Sequence, residues 1–413
     1  MKNVAVIGSG VSGLAIANLL KQKGHSVRVL EKCAQPGGLI QCKVVDGNLY
    51  HMVGGHVFNS RRQDVLDWFW KHFDKESEFN NIVRNASVRM PDGRVVNYPI
   101  EDHCYMLSET MAASVVKDLV AMAVKGPRSS ANFDEFLRNT FGETLYKAYF
   151  RPYNEKVWRR NLEDIPLSWL EGKLPMPTVE NILYNNICRV NERAMVHSTF
   201  YYARQKGSQF IADRLADGLD IAFNSEVREI VRKGSGWLVD GREYDAVAFC
   251  GNVKDLPTLL GGSIDLSEYA QAIGDLAYHG TTSVFCSIEG NPYSWIYLPD
   301  SRYSAHRIIC TGNFAESNNA NGRFTATVEF TDYLSRDDIM ENLRKIPFAP
   351  QYIDHTYTQY TYPIQGSATR SLINGLKSKL KDENLFLLGR FAEWEYYNMD
   401  SAIGAAMNLA NTI

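Results

Sequence analysis

The chain has 413 residues, 45% of them apolar and 22% charged, and carries a formal net charge of −3. At about 150 residues per domain it holds two or three domains with ample apolar material for a core, which excludes disordered, collagen-like and membrane classes. The near balance of charge gives no overall field to hold nucleic acid or an acidic membrane, so any anionic ligand must be met by a few local cations.

In chain order, Val4 to Ile7 is a short β-branched apolar run of the kind that forms a buried parallel strand, and it leads into Gly8-Ser9-Gly10-Val11-Ser12-Gly13. Leu14 to Lys23 reads as a helix stopped at Gly24 and Ser26 to Glu31 as a second strand, completing a βαβ unit. Gln63 to Phe73 is helical in pattern, Ala86 to Tyr98 is a hairpin turned at Pro91-Asp92-Gly93, and Tyr105 to Lys125 and Asn132 to Phe150 are helix-rich. Strands are expected at Asp220 to Val231, Gly236 to Val239 and Ala246 to Phe249. Thr282 to Glu289, Ser294 to Leu298, Arg307 to Thr311 and Arg323 to Phe330, rich in β-branched and aromatic residues, predict a separate antiparallel sheet. Leu385 to Leu388 is a strand running into Gly389-Arg390, and Ser401 to Ile413 is an Ala-rich helix. The predicted fold class is α/β: a Rossmann-type dinucleotide domain interrupted by a helical bundle and an antiparallel β-sheet domain.

Seven scattered cysteines without a C-x-x-C pair favour reduced thiols in a cytoplasmic protein over a disulfide framework or a metal site. The apolar run from Val4 to Leu20 is interrupted by Gly8, Gly10 and Gly13 and lacks a small-residue cleavage site, so it does not read as a signal peptide, and no later run predicts a membrane span.

The glycine motif is weak alone but here follows a strand, opens a helix and has Glu31 at the end of the second strand. Gly8 and Gly10 let the backbone approach a pyrophosphate, Gly13 lets helix and sheet pack closely, and Glu31 would accept hydrogen bonds from the adenosine ribose. The motif does not separate NAD from FAD. Gly37-Gly38-Leu39 beyond the acid resembles the loop by which large flavoenzymes pass the FAD pyrophosphate, so FAD is the cofactor read here, with an ordinary turn as the alternative. In His51-Met52-Val53-Gly54-Gly55-His56, the glycines allow backbone to approach a planar ligand and His56 to lie beside it; spacing alone leaves a satisfied core histidine equally open. Arg151 to Arg160 and Gly389 to Asp400 combine aromatic faces for a base or sugar with cations for phosphate, and composition does not separate that use from an amphipathic helix and a surface loop.

Together with Tyr98-Pro99-Ile100, Arg151-Pro152-Tyr153-Asn154-Glu155-Lys156-Val157-Trp158, Tyr297-Leu298-Pro299 followed by Arg307, Tyr362-Pro363 and the closing Gly389-Arg390 to Asp400 segment, these motifs resemble the UDP-galactopyranose mutase family in order and spacing. The resemblance implies a Rossmann-type FAD-binding domain made of 1-80, 200-260 and 375-413, a helical substrate-binding domain at 103-178, and an antiparallel sheet domain from 81-102, 179-199 and 261-374. It implies FAD, active when reduced, held by Gly8, Gly10, Gly13, Glu31, Lys32, Gly38, Leu39, His56, Val227, Gly389, Arg390, Met399, Asp400 and Ser401. It implies a substrate site in which Tyr153 stacks on uracil, Trp158 lines the sugar pocket, Asn186 adds a contact, Arg307 binds the diphosphate, and Tyr297, Tyr362 and Tyr396 bond its oxygens. The family's other diphosphate arginine falls on Lys173, where a compact point charge replaces a planar fork. His56, Arg307 and Lys173 are the candidate catalytic residues.

The implied activity is interconversion of the pyranose and furanose forms of a UDP-sugar, UDP-galactose foremost, through attack of reduced-flavin N5 on the anomeric carbon with no net redox change. An external reductant and a nucleotide sugar are the expected partners, with a homodimer a further candidate and no nucleic acid. Alternatives are an FAD-dependent oxidoreductase of the amine oxidase or desaturase type, which shares the fingerprint, a mutase acting on a different nucleotide sugar, and a nucleotide-sugar-binding flavoprotein without activity.

Overall fold

The computed structural model describes residues 1–167, 177–190, 198–320 and 322–413. Five parallel strands form one sheet in the order Leu385–Leu387, Ala246–Phe249, Asn3–Ile7, Ser26–Leu30 and Asp220–Ala222. Val4 and Val6 face a layer holding the helices Val11–Gln22 and Met399–Ala410, with Leu14, Ile403 and Ala406 in the same cluster. Ala5 and Ile7 face the opposite layer with Ile373, Leu376 and Leu380 of the helix Thr369–Lys381. Because both faces are covered, the strand is apolar at every position instead of alternating.

A seven-stranded sheet runs Gln351–Pro363, Tyr278–Ser287, Thr325–Thr331, Arg307–Ile309, Trp295–Tyr297, Ala86–Arg89 and Val95–Asn97. It is antiparallel except where Trp295–Tyr297 lies parallel to Ala86–Arg89. The expected α/β architecture, with its parallel sheet, helical insert and antiparallel sheet, is present.

Several boundaries differ from expectation for local reasons. The run Asp220 to Val231 splits, its first part closing the parallel sheet and Ile230–Lys233 opening a three-stranded meander; Asn224, at φ 52°, lies in the break. The helix expected from Tyr105 begins at Glu109, where the Ser108 hydroxyl accepts from the Met111 N–H. The stretch Asn132 to Phe150 is a helix, Phe133–Leu145, followed by a π-turn at Tyr146–Phe150 that passes into the helix Arg151–Trp158. Its irregularity starts at Gly142, held at φ 80° beside Asp118, whose carboxylate accepts from Thr144 N–H at 2.7 Å. The helix Val179–Cys188, placed with the antiparallel sheet by a division at 178, buries Ile182 in one cluster with Val115 and Leu119 and so packs with the helical insert.

Candidate active site

A cavity of about 650 Å³ opens beside the carboxyl ends of the parallel strands, lined by Ile7, Leu30 and Phe249 from three of them. Its volume falls in the range of small-molecule and cofactor sites, about 300–1,000 Å³. Of the residues expected to hold the cofactor, Gly8, Gly10, Gly13, Glu31, Lys32, Gly38, Leu39, His56, Val227, Gly389, Arg390 and Met399 line it. Asp400 and Ser401 do not: Asp400 accepts from the Ser60 hydroxyl at 3.1 Å, and Ser401 is exposed in the first turn of the last helix.

The cradle is built from glycines. Gly8 takes φ 98°, and a Cβ on Gly13 would fall 2.0 Å from the Gly8 carbonyl oxygen, so only glycine lets helix and strand approach this closely. The helix Val11–Gln22 starts at Gly10 without a side-chain cap and without an acidic residue in its first turn, which leaves its positive end for an anion. Gly37 N–H donates to the Ser9 carbonyl at 2.9 Å, clasping the two glycine loops together. Glu31 is buried, and its carboxylate accepts from Ser9 N–H and Ser9 hydroxyl at 2.7 Å each and from Cys33 N–H at 2.8 Å. Glu31 therefore pins the glycine loop as well as facing the cavity. His56 also lines the cavity, with Nε2 buried and without a hydrogen-bond partner among the described residues. A planar group with a polar edge fits that unfilled nitrogen, and the uncapped helix end fits a pyrophosphate.

The candidate substrate residues converge from different elements. Tyr153, on the helix Arg151–Trp158, meets Tyr297 edge-on at 5.5 Å between ring centroids and stacks on Tyr149 at 5.4 Å. Arg307 pairs with Tyr297 across adjacent strands and donates from Nη2 to the Tyr362 hydroxyl at 3.0 Å. Tyr362 stacks on Tyr396 at 5.8 Å and 9°, and the Arg390 guanidinium lies 4.8 Å from the Tyr396 ring. Trp158 ends its helix, with Nε1 donating to Asn154 Oδ1 at 3.1 Å. Asn186 is directed elsewhere, donating to the carbonyls of Glu101 and Ile182 at 2.7 and 2.8 Å. Lys173 lies outside the described residues.

Two residues that sequence reasoning missed organise this set. Glu329, 0% exposed, accepts from Gly54 N–H at 2.7 Å and from Arg307 Nε, and so joins the histidine loop of the cavity wall to Arg307. Its signal was a lone carboxylate in the strand Thr325–Thr331, opposite Arg307 in register. Arg84 donates from Nη2 to the Tyr297 hydroxyl at 2.7 Å and lies over the rings of Tyr98 and Trp295; as a single cation between two strands it carries no sequence signal.

Electrostatics fix the protonation states. Burial disfavours the charges of Glu329 and Arg307, but each supplies the other's counter-charge, holding Glu329 well below the usual carboxylate range and Arg307 protonated. Burial pushes Tyr362 up to about 12, with Arg307 opposing, and raises Tyr153 well above the usual phenol range. Both hydroxyls therefore remain donors at neutral pH. Burial, aided by His51 and Arg390, brings His56 down to about 3, so its ring is neutral.

Residues 6–73 match the family model described as an NAD(P)-binding Rossmann-like domain. The chain is 28% identical to the UDP-galactopyranose mutase of Mycoplasma pneumoniae (strain ATCC 29342 / M129 / Subtype 1), covering 99% of this chain and 95% of the relative. It is 23% identical to the dTDP-fucopyranose mutase of Escherichia coli, covering 99% and 98%. The crystal structure of a reduced UDP-galactopyranose mutase superposes with a TM-score of 0.87 at 21% identity, covering 100% of this chain and 95% of that one. Along its whole length the chain is thus similar in sequence and in fold to the UDP-galactopyranose mutases, the resemblance its motifs first suggested.

Proposed function

We propose that this protein is a flavin-dependent nucleotide-sugar mutase that interconverts the pyranose and furanose forms of a UDP-hexose, UDP-galactose foremost. The observation that supports this reading is the Gly54–Glu329–Arg307 junction, which links Arg307 and, through it, Tyr362 to the loop that carries His56 of the cavity wall. FAD fits that cavity, and in its reduced form would supply the nucleophile for the anomeric carbon with no net redox change. The glycine loops and the helix start at Val11 would take its pyrophosphate, and Arg390, Met399 and His56 would lie toward its other end.

Tyr153 supplies a flat face for the base and Trp158 one for the sugar. As the bond from the anomeric carbon to the diphosphate breaks, negative charge grows on the leaving oxygen. Arg307 and the hydroxyls of Tyr362, Tyr297 and Tyr396, held in place before the reaction begins, stabilise that charge, with Lys173 as the second cation. Glu329 holds Arg307 in place and offsets part of its charge, so the diphosphate stays bound without being held too tightly to rejoin the anomeric carbon once the sugar has changed ring form. Neutral His56 can accept or donate one hydrogen bond at the cavity wall without adding charge. In this reading the parallel-sheet domain carries the cofactor, and the helical insert and the antiparallel sheet carry the substrate.

The full-length similarity to the Escherichia coli relative favours a second reading, a dTDP-6-deoxyhexose as substrate. The dithionite-reduced protein is incubated with UDP-galactose and dTDP-fucose, each in pyranose and furanose form, and products are separated by chromatography. Interconversion of one pair by reduced protein alone is expected. Turnover by oxidised protein with peroxide release would place it instead with the oxidases, and a protein that takes up no flavin would end the proposal.

A further inference from the structure

We infer that Lys156 is a positioning residue of the substrate site, stapling the helix that carries Tyr153 and Trp158 to the turn that joins Tyr297 to Arg307. What it positions rests on the function proposed above; the staple itself rests on its contacts alone. Lys156 Nζ donates to the carbonyls of Leu298 at 2.8 Å, Asp300 at 2.5 Å and Ala305 at 3.1 Å, and stands 4.8 Å from the Tyr303 ring centroid. An ammonium has three N–H groups, and all three are used on one turn. That turn connects the strands Trp295–Tyr297 and Arg307–Ile309, in which Tyr297 and Arg307 sit directly opposite each other.

The anchoring is to carbonyls and not to a carboxylate partner. The Asp300 carboxylate is engaged by Arg302, accepting from its backbone N–H at 2.9 Å and from Nε at 2.7 Å. A neutral side chain at 156 would leave three inward carbonyls to find other donors, so the turn would have to rearrange. Its two ends carry the groups assigned to the diphosphate, and the far side of the staple carries those assigned to base and sugar. The end of the helix is held separately: His279 Nε2 bonds the Trp158 carbonyl, and Arg159 donates to the Thr331 carbonyl at 3.3 Å. The helix therefore survives loss of Lys156, and what fails is its registration against the hairpin.

The test compares the flavin-loaded wild type with Lys156→Met and Lys156→Arg. The methionine keeps the apolar stem and loses every donor, and KM for the accepted nucleotide sugar should rise about tenfold or more, the effect of losing hydrogen bonds from a charged group. Flavin content should stay close to wild type, and because Tyr297 and Arg307 flank the turn, turnover should fall together with affinity. Arginine restores charge but its planar fork cannot reach all three carbonyls, so KM should fall between the two. Unchanged KM in both variants, a loss in Lys156→Arg as large as that in Lys156→Met, or a loss of flavin that matches any loss of affinity, would overturn the inference. If the wild type turns over no nucleotide sugar, the functional reading fails by itself. The staple is then read by hydrogen exchange over residues 298–307, which Lys156→Arg should accelerate and which unchanged exchange would refute.

Discussion

Glu329 stays charged at 0% exposure because Arg307 Nε and the Gly54 N–H both donate to it. Glu329→Gln keeps an acceptor for Gly54 but leaves the guanidinium without its counter-charge, and removing one partner of a buried pair costs about 3–5 kcal/mol. Urea unfolding should show a loss of that order, and a loss under about 1 kcal/mol would mean that water reaches the pair. A second expectation concerns acid. Burial lowers His51 to about 4 and His56 to about 3, whereas in the unfolded chain both titrate near 6.5. Below about 6.5 the unfolded chain binds more protons than the folded one, so stability is present above that pH and drains away as pH falls toward the folded values. The thermal midpoint of His51→Gln/His56→Gln should fall less between pH 7 and pH 5 than that of wild type; equal falls would show that other groups dominate. At this scale the sequence was informative where chemistry announced itself, as at Gly54-Gly55-His56. At Glu329 it offered no more than a lone carboxylate in a strand, because the importance of that residue comes from a cross-strand register that no local pattern encodes.

Among the elements, the glycine-loop helix is the least tolerant of change. Gly13→Ala would place a methyl 2.0 Å from the Gly8 carbonyl oxygen, where the neighbour is backbone and cannot yield. Purified Gly13→Ala should be colourless or unfolded, and full flavin content would contradict the assigned packing. Gly142→Ala, at φ 80° and against Asp118, should cost about 1–3 kcal/mol and is checked by thermal melting. The βαβ start was readable because a strand buried on both faces is apolar at every position. The strand Gln351–Pro363 was not, because it lies at the edge of its sheet and intersperses Tyr352, Tyr357, Tyr360 and Tyr362 with polar residues, half exposed for most of its length. A loop rich in tyrosine and a half-buried edge strand look alike in sequence until the partner Tyr278–Ser287 is known.

For the molecule as a whole, the 22 tyrosines divide between structure and site. Tyr50, Tyr146 and Tyr202 are fully buried, whereas the candidate site tyrosines meet in two pairs, Tyr153 edge-on to Tyr297 and Tyr362 stacked on Tyr396. All seven cysteines are free, and among the described residues no helix is long and apolar enough to cross a membrane. The architecture brings distant stretches of chain around one cavity, from Ile7 and Glu31 to Val227, Phe249 and Arg390, which is why the site was legible as scattered motifs but its joining residues were not. The most direct test of the proposed mutase is stoichiometric: the flavin-loaded protein is reduced once, anaerobically, and given an excess of UDP-galactofuranose while product and flavin absorbance are followed together. Many product molecules per flavin, with the flavin still reduced at the end, are predicted; one product or fewer per flavin oxidised would contradict a reaction without net redox change.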